Sequence, residues 1–295
     1  MEDFICGYVA VAGRPNVGKS TLVNKLVSYP LSIVSRKPQT TRHKLLGILT
    51  GEGYQVLFLD SPGLMVPRYA LQHMMVNTAW AAIEEADLVL LVSEPRSDDL
   101  NDETGILTHL TRLKKKTILA INKVDLVNKL DLLPLIEFYG GLYPFSEIVP
   151  VSALKDDGLD VLKGLIVSNL PHQPPFFPPG DVTDRPQRFF VAEIIRQRVF
   201  EQYGEEIPYS VAVLVEEYKE RGGGKDYVKA IVVCERPSQK AILIGKRGEA
   251  IKRLGQAARG SIEGFIGKEV FLELRVEVRE NWRREEGTVK QLGQT

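Results

Sequence analysis

Eight consecutive residues near the amino terminus, Gly13-Arg14-Pro15-Asn16-Val17-Gly18-Lys19-Ser20, have the composition needed to hold a chain of phosphates. Phosphate oxygens are best met by backbone N–H donors at close range, and a turn rich in glycine lets the main chain come near enough. A helix opening at the end of this turn adds the positive end of its dipole. In such a loop Lys19 reaches the β- and γ-phosphates and the Ser20 hydroxyl ligates Mg²⁺, with Thr21 following on the same turn. The loop does not choose a base, because ATPases share it.

Three further segments supply what the loop lacks. Asp60-Ser61-Pro62-Gly63 ends an apolar run, so the Asp60 carboxylate can hold Mg²⁺ through a water and the Gly63 N–H can sense a γ-phosphate. Taken alone it is also ordinary turn chemistry. Asn122-Lys123-Val124-Asp125 chooses the base. Guanine presents two donors side by side, its N1–H and 2-amino group, and one carboxylate accepts both, whereas adenine offers no such pair. The Lys123 stem can lie on the ring and Asn122 can brace the loop. Ser152-Ala153-Leu154 can offer a backbone N–H to the guanine O6. Asp125 therefore decides for GTP over ATP.

Each segment follows an apolar run of strand length. The runs are Tyr8–Ala12, Val56–Leu59, Leu88–Val92, Ile118–Ile121 and Ile148–Val151. They lack alternation, as strands covered on both faces do, and helix-like stretches separate them. Leu45–Thr50 has a polar break and fits an edge strand beside the second run. Residues 1–170 thus read as an α/β domain with a mostly parallel sheet and helices on both faces.

Composition excludes several other classes. Apolar residues make up 44% and charged residues 26%, as in globular protein, and 38 basic residues balance 38 acidic ones. Only local charge can then speak for a nucleic-acid partner. Cys6 and Cys234 stand far apart in apolar runs and read as buried thiols in a reducing compartment. His43, His73, His109 and His172 have no ligand spacing, so no zinc site is expected. No apolar run is long enough to span a membrane, and the opening Met-Glu-Asp is unlike a targeting peptide. A cytosolic location is expected, with peripheral membrane contact left open.

Between residues 171 and 188 the chain holds Pro171, Pro174, Pro175, Pro178, Pro179 and Pro186, which predicts an extended, stiff spacer. A second pattern follows over 189–280. It runs as a helix (Phe189–Tyr203), strands at Ser210–Glu216 and Tyr227–Cys234 joined by Gly222-Gly223-Gly224, and a short helix through Ile244. A tight turn at Gly245–Gly248, a second helix and the alternating strand from Val270 to Arg279 complete it. Residues 281–295 form a tail.

The α-β-β-α-α-β order with Gly245-Lys246-Arg247-Gly248 between two helices resembles a type II KH domain. That resemblance implies a single-stranded RNA ligand whose backbone lies on the Gly-x-x-Gly loop. The residue types agree. Lys246 and Arg247 can meet phosphates, Lys252 and Arg253 extend the basic stretch, and Ile244 and Ile251 can line a groove for bases. Arg236 to Arg259 holds seven cations against Glu249 alone, and the bland alternative is a solvated helix face. Trp282 can stack on a base or anchor the tail to the core.

The four nucleotide segments, in order and spacing, resemble the translation-factor class of P-loop GTPases. Lys37-Pro38-Gln39-Thr40-Thr41-Arg42-His43 resembles the first switch loop of the Era family, and the likeness extends over the whole chain. It implies that Thr41, before Thr40, completes the Mg²⁺ shell when GTP is bound. It implies too that Asn16 is associated with a K⁺ ion acting in place of an arginine finger. Leu64 stands where Ras-type enzymes carry a water-orienting glutamine, so slow hydrolysis is expected from Lys19, Asn16, Thr41 and Gly63. The family further implies a monomeric GTP/GDP switch that binds the 3′ end of small-subunit (16S-type) ribosomal RNA and serves small-subunit assembly. Other readings are a KH-like module for a protein partner, a membrane or cell-cycle signalling GTPase, and an ATPase, which Asp125 disfavours.

Overall fold

The computed structural model describes residues 4–35, 37–96 and 105–292. The chain divides into two compact units, the second taking in Arg185 onward together with Tyr69–Gln72.

In the first unit the elements run β1 (Ile5–Ala12), α1 (Lys19–Val27), β2 (Leu45–Gly51), β3 (Tyr54–Asp60), α2 (Ala70–Glu85) and β4 (Leu88–Ser93). They continue as α3 (Ile106–Leu113), β5 (Thr117–Ile121), α4 (Leu132–Leu142), β6 (Glu147–Pro150) and α5 (Leu159–Ser168). The sheet order is β2-β3-β1-β4-β5-β6, and only β2 is antiparallel to its neighbour. Strands β4 and β5 are buried at every position, which is why their sequence lacks alternation. Helices cover both faces. Val76, Ala79 and Ile83 of α2, Leu110 of α3 and Tyr139 of α4 pack with Ala10, Val89 and Leu119. On the other side, a side chain at Gly47 of β2 would run into Leu31 and Val27, so α1 lies against that face.

The register brings the chemistry-bearing loops together. Val11 of β1 is level with Asp60 of β3, and Ser93 of β4 with Ile121 of β5, which in turn pairs with Pro150 of β6. All four parallel crossings therefore deliver their following residues to the carboxyl edge of one sheet, where open α/β folds bind ligands.

The proline-rich stretch, expected as a stiff spacer, is hydrogen-bonded along the first unit. Cys6 N–H donates to Pro171 O (3.1 Å), Gln173 N–H to Phe4 O (2.9 Å) and Ile48 N–H to Val182 O (2.9 Å). The buried Gln55 side chain accepts from the Phe176 and Phe177 amides at 2.9 and 3.0 Å and donates to Phe177 O. Residues up to Asp184 are thereby built into the first unit. Proline removes donors, but the intervening residues and one glutamine supply enough partners to strap an extended chain to the sheet.

The second unit comprises α6 (Gln187–Gln202), a short α7 (Ile207–Ser210), β7 (Ala212–Lys219), β8 (Asp226–Cys234), α8 (Pro237–Ile244), α9 (Glu249–Ile266), β9 (Val270–Val278) and α10 (Glu286–Leu292). Its sheet is β7-β8-β9, antiparallel then parallel, with a bulge between Val215 and Glu217. Ile195 and Val199 of α6 and Leu254, Ala258 and Ile262 of α9 share a core with alternate residues of β8. The tail is not extended: α10 buries Val289 and Leu292.

Candidate functional site

A cleft of about 650 Å³ opens at the carboxyl edge of the six-stranded sheet. Pro15, Asn16, Gly18, Lys19, Ser20 and Thr21 line one side, with Thr40, Thr41 and Gly63 facing them. Asn122, Lys123, Asp125, Ala153 and Leu154 line the far end. Of the residues expected at the site, Gly13, Arg14, Val17, Asp60 and Ser152 stand outside that lining and form its backing.

The phosphate loop is held from within. Lys19 is buried, and its ammonium donates to the carbonyls of Gly13 (3.1 Å) and Arg14 (2.8 Å). That leaves the charge centred inside the loop's curve. Leu64 N–H donates to Gly13 O at 3.0 Å, which draws the Asp60–Gly63 segment against the loop. Gly63 comes so close that a Cβ there would sit 2.6 Å from the Pro15 nitrogen, so no other residue fits. Leu64 itself is buried in the core beneath, where it could not reach a water in any case. Asn16 is exposed with a left-handed backbone (φ 69°), and its side chain makes no hydrogen bond among the described residues. It is therefore not spent on satisfying its own turn.

The residues expected around Mg²⁺ converge. The Ser20 and Thr41 hydroxyls are 2.8 Å apart although 21 positions separate them in sequence. Asp60 is fully buried, its Oδ2 accepts from the Ser32 hydroxyl at 2.6 Å, and its Oδ1 has no hydrogen-bond partner. Burial pushes the Asp60 carboxyl above its usual range, with the Ser32 bond and the nearby Lys19 charge pulling the other way. A buried carboxylate oxygen without a partner, close to two converging hydroxyls, is the donor set a hard divalent cation takes. The residues fit Mg²⁺.

At the base end, Asn122 is a brace. Its amide donates to Val17 O (2.9 Å) and its Oδ1 accepts from Ala153 N–H (3.0 Å), tying three loops together. Asp125 Oδ1 accepts from the Ser152 hydroxyl at 2.6 Å, which fixes the plane of the carboxylate. Lys123 donates to Asn16 O at 2.7 Å and pairs with Glu94. Glu94 is in turn seated by the buried Tyr139 hydroxyl, which donates to Glu94 O at 3.0 Å.

Ser32 and Glu94 escaped the reading of the sequence. Glu94 had a usable signal: it follows a buried strand at the sheet's carboxyl edge, as the residues at 122 and 152 do. Ser32 had none beyond being polar between two apolar neighbours, Leu31 and Ile33.

In the second unit the Gly245–Gly248 turn joins α8 to α9. A Cβ on Gly245 would lie 2.6 Å from that of Ala250, and its φ of 71° and ψ of 175° fall in a region only glycine enters readily. Arg247 is left-handed too (φ 52°). Lys246, Arg247, Lys252 and Arg253 are exposed, and Ile244 and Ile251 are half-buried beside them. Trp282 is a correction. It is 2% exposed and its indole N–H donates to Ser210 O at 2.9 Å, so it anchors the chain after β9 and is not open to a base. At 2% exposure both faces of the indole are covered by protein, and its one donor is satisfied inside the core.

Two family models match the chain: "50S ribosome-binding GTPase" over residues 8–123 and "KH domain" over residues 206–283. The chain is 44% identical to the GTPase Era of Geotalea daltonii over 292 residues, covering 99% of this chain and 98% of that one. It superposes on the Aquifex aeolicus Era variant bound to GDP and aluminium fluoride with a TM-score of 0.92, at 38% identity, covering 98% and 99% of the two chains. An Era structure in complex with MgGDPNP and nucleotides 1506–1542 of 16S ribosomal RNA gives a TM-score of 0.93, with the same identity and coverage.

Proposed function

This chain belongs to the Era family of GTPases, and we propose that it is a GTP-timed RNA-binding protein of small ribosomal subunit assembly. It is a GTP-hydrolysing enzyme with a KH domain. Its RNA would be the 3′ region of 16S-type ribosomal RNA, the partner of the Era solved with nucleotides 1506–1542. The observation that carries this reading is the pairing of a braced guanine site with an exposed, doubly cationic Gly-x-x-Gly loop in one chain.

Base selection rests on Asp125, whose orientation the Ser152 hydroxyl sets before any ligand arrives. Its carboxylate accepts from N1–H and the 2-amino group of guanine, while Lys123, held by Glu94 and Asn16 O, covers one ring face. The phosphates would lie along the loop N–H groups from Asn16 to Ser20, with Lys19 turning its ammonium to the β- and γ-oxygens. Ser20, Thr41 and, through water, Asp60 would hold Mg²⁺, which neutralises charge on those oxygens. Gly63 N–H, pressed against Pro15, would read the γ-phosphate. The Asn16 amide, which makes no hydrogen bond among the described residues, would hold a K⁺ ion beside the phosphates, and that ion would supply what an arginine finger supplies elsewhere.

Loss of the γ-phosphate would release Thr41 and Gly63 together, and that is the timing step: two loops lose one shared partner. RNA would meet Lys246 and Arg247 with its phosphates and the groove beside Ile244 and Ile251 with its bases. We expect a monomer acting where ribosomes are assembled. Among the described residues no helix is long and apolar enough to cross a membrane.

The test is to crosslink RNA to the full-length protein with GTP and with GDP present and to sequence what is bound. Enrichment of the 3′ end of small-subunit RNA, differing between the two nucleotides, is the expected result. Recovery of RNA without that enrichment would sink the assignment. Hydrolysis should run faster in K⁺ than in Na⁺, and Asn16→Ala should erase the difference; equal rates for the unaltered protein remove K⁺ from the scheme.

A further inference from the structure

Asp60 is the most tightly enclosed charged group of the nucleotide site, and its two oxygens are treated differently. One accepts the Ser32 hydroxyl at 2.6 Å; the other, equally buried, has no partner in hydrogen-bond geometry, with the Ser20 hydroxyl near enough to favour the charged carboxylate. A carboxylate that can turn about its last bond offers either oxygen to a cation. A short bond to one oxygen removes that freedom and aims the other.

Ser32 is fit to do this because it is itself immobilised. Its N–H donates to Asn24 Oδ1 and its carbonyl accepts from Asn24 Nδ2, both at 2.9 Å. One side-chain amide thus grips both main-chain groups of one residue, as a neighbouring strand would. Leu31 and Ile33 on either side are buried, at 2% and 5% exposure. The chain that leads into the first switch loop is therefore fixed at residues 31–33.

Asn24 lies on α1 one turn beyond Ser20. Residues four apart share a helix face. One face of α1 therefore presents the Ser20 hydroxyl directly and controls Asp60 through the relay Asn24–Ser32–Asp60. We propose that Ser32, clamped by Asn24, is a positioning residue for the Mg²⁺ shell: it orients Asp60 and keeps that orientation when Thr41 is absent from the shell. The proposal rests on the reading of this cleft as an Mg²⁺–guanine-nucleotide site. Hydrogen bonds of this outer kind typically change metal affinity by roughly 10- to 100-fold when removed.

The experiment is a titration of free Mg²⁺ against retention of a fluorescent GDP by the full-length protein, repeated in EDTA. Ser32→Ala should raise the half-saturating Mg²⁺ concentration by roughly 10- to 100-fold while leaving GDP affinity in EDTA close to that of the unaltered protein. Ser32→Thr keeps the hydroxyl and should stay near the original midpoint; Asn24→Ala should shift it in the same direction as Ser32→Ala. An unchanged midpoint in Ser32→Ala, or an equal loss with and without Mg²⁺, would overturn the proposal, the latter by revealing a merely structural role. If Ser32→Ala does not fold by thermal melting, Asn24→Ala is held to the same two criteria. Failure of the unaltered protein to show any Mg²⁺ dependence would instead overturn the site assignment itself.

Discussion

The guanine end of the nucleotide cleft and the Gly245–Gly248 loop solve recognition in opposite ways. At the cleft, almost every functional side chain is tied to a neighbouring loop: Asp125 to the Ser152 hydroxyl, Asn122 to the main chain of Val17 and Ala153, Lys123 to Asn16 O and the Glu94 carboxylate. At the loop, the backbone is constrained by left-handed residues at 247 and 248 and by contact of Gly245 with Ala250, while the Lys246 and Arg247 side chains are exposed and lie outside any ion pair among the described residues. The difference follows from the ligand. A base of fixed shape rewards donors and acceptors set in advance, since misplacing one leaves a buried polar group unpaired. A phosphate backbone of many shapes rewards cations that can follow it.

If that contrast is right, the largest effect comes from the most tightly set group. Asp125→Asn replaces an acceptor with a group that faces guanine's donors with a donor. GTP affinity should fall on the order of 10⁴-fold, with xanthosine triphosphate, which has an oxygen at that position, recovering much of it. Equal binding of the two nucleotides in a titration would break the first half of the comparison.

Next is the loop. Lys246 and Arg247 changed together to Asp should weaken RNA binding on the order of 100-fold and flatten its dependence on salt. The melting temperature and GTP affinity should not move, because the side chains support nothing else. A large loss of stability would show that the loop is braced after all.

Trp282→Phe tests the group reassigned from binding to packing. Losing the bond to Ser210 O should destabilise the second unit by about 2 kcal/mol, seen in denaturant unfolding, with RNA affinity intact. Weaker RNA binding at unchanged stability would return Trp282 to the surface.

The smallest effect is expected at Glu94. Glu94→Ala removes a partly exposed partner of Lys123, its side chain 24% exposed, and after allowance for solvent screening it should weaken GDP binding by about 1 kcal/mol, roughly fivefold. No change would mean that Asn16 O alone positions the lysine.

Much of the nucleotide domain was legible in the chain because parallel strands buried on both faces leave contiguous apolar runs, and the binding segments begin where those runs stop. Strands at Val56–Leu59 and Leu88–Val92 sit inside β3 and β4, and Leu45–Thr50 became the antiparallel edge strand β2. The second unit was legible through the order of its elements and through the alternation of β9. The docking of the proline-rich stretch was not legible, because composition describes a chain's stiffness, not what it lies against. Nothing in its prolines announces that Gln55, some 120 positions earlier, would bond Phe176 and Phe177.

By itself, the sequence determined which chemistry was present: the glycine-rich turn with its lysine, a carboxylate able to accept two adjacent donors, the paired cations between glycines. Those are local signatures, since a turn's conformation and a side chain's donors are properties of a few adjacent residues. What only the tertiary structure decided is which oxygen of Asp60 the Ser32 hydroxyl binds, what steadies Lys123, and that Trp282 faces inward. Each of these depends on a contact between residues distant in sequence, such as Ser32 with Asp60, Glu94 with Lys123 and Trp282 with Ser210. Such contacts exist only once the sheet's register and the helices' packing have brought the distant segments together.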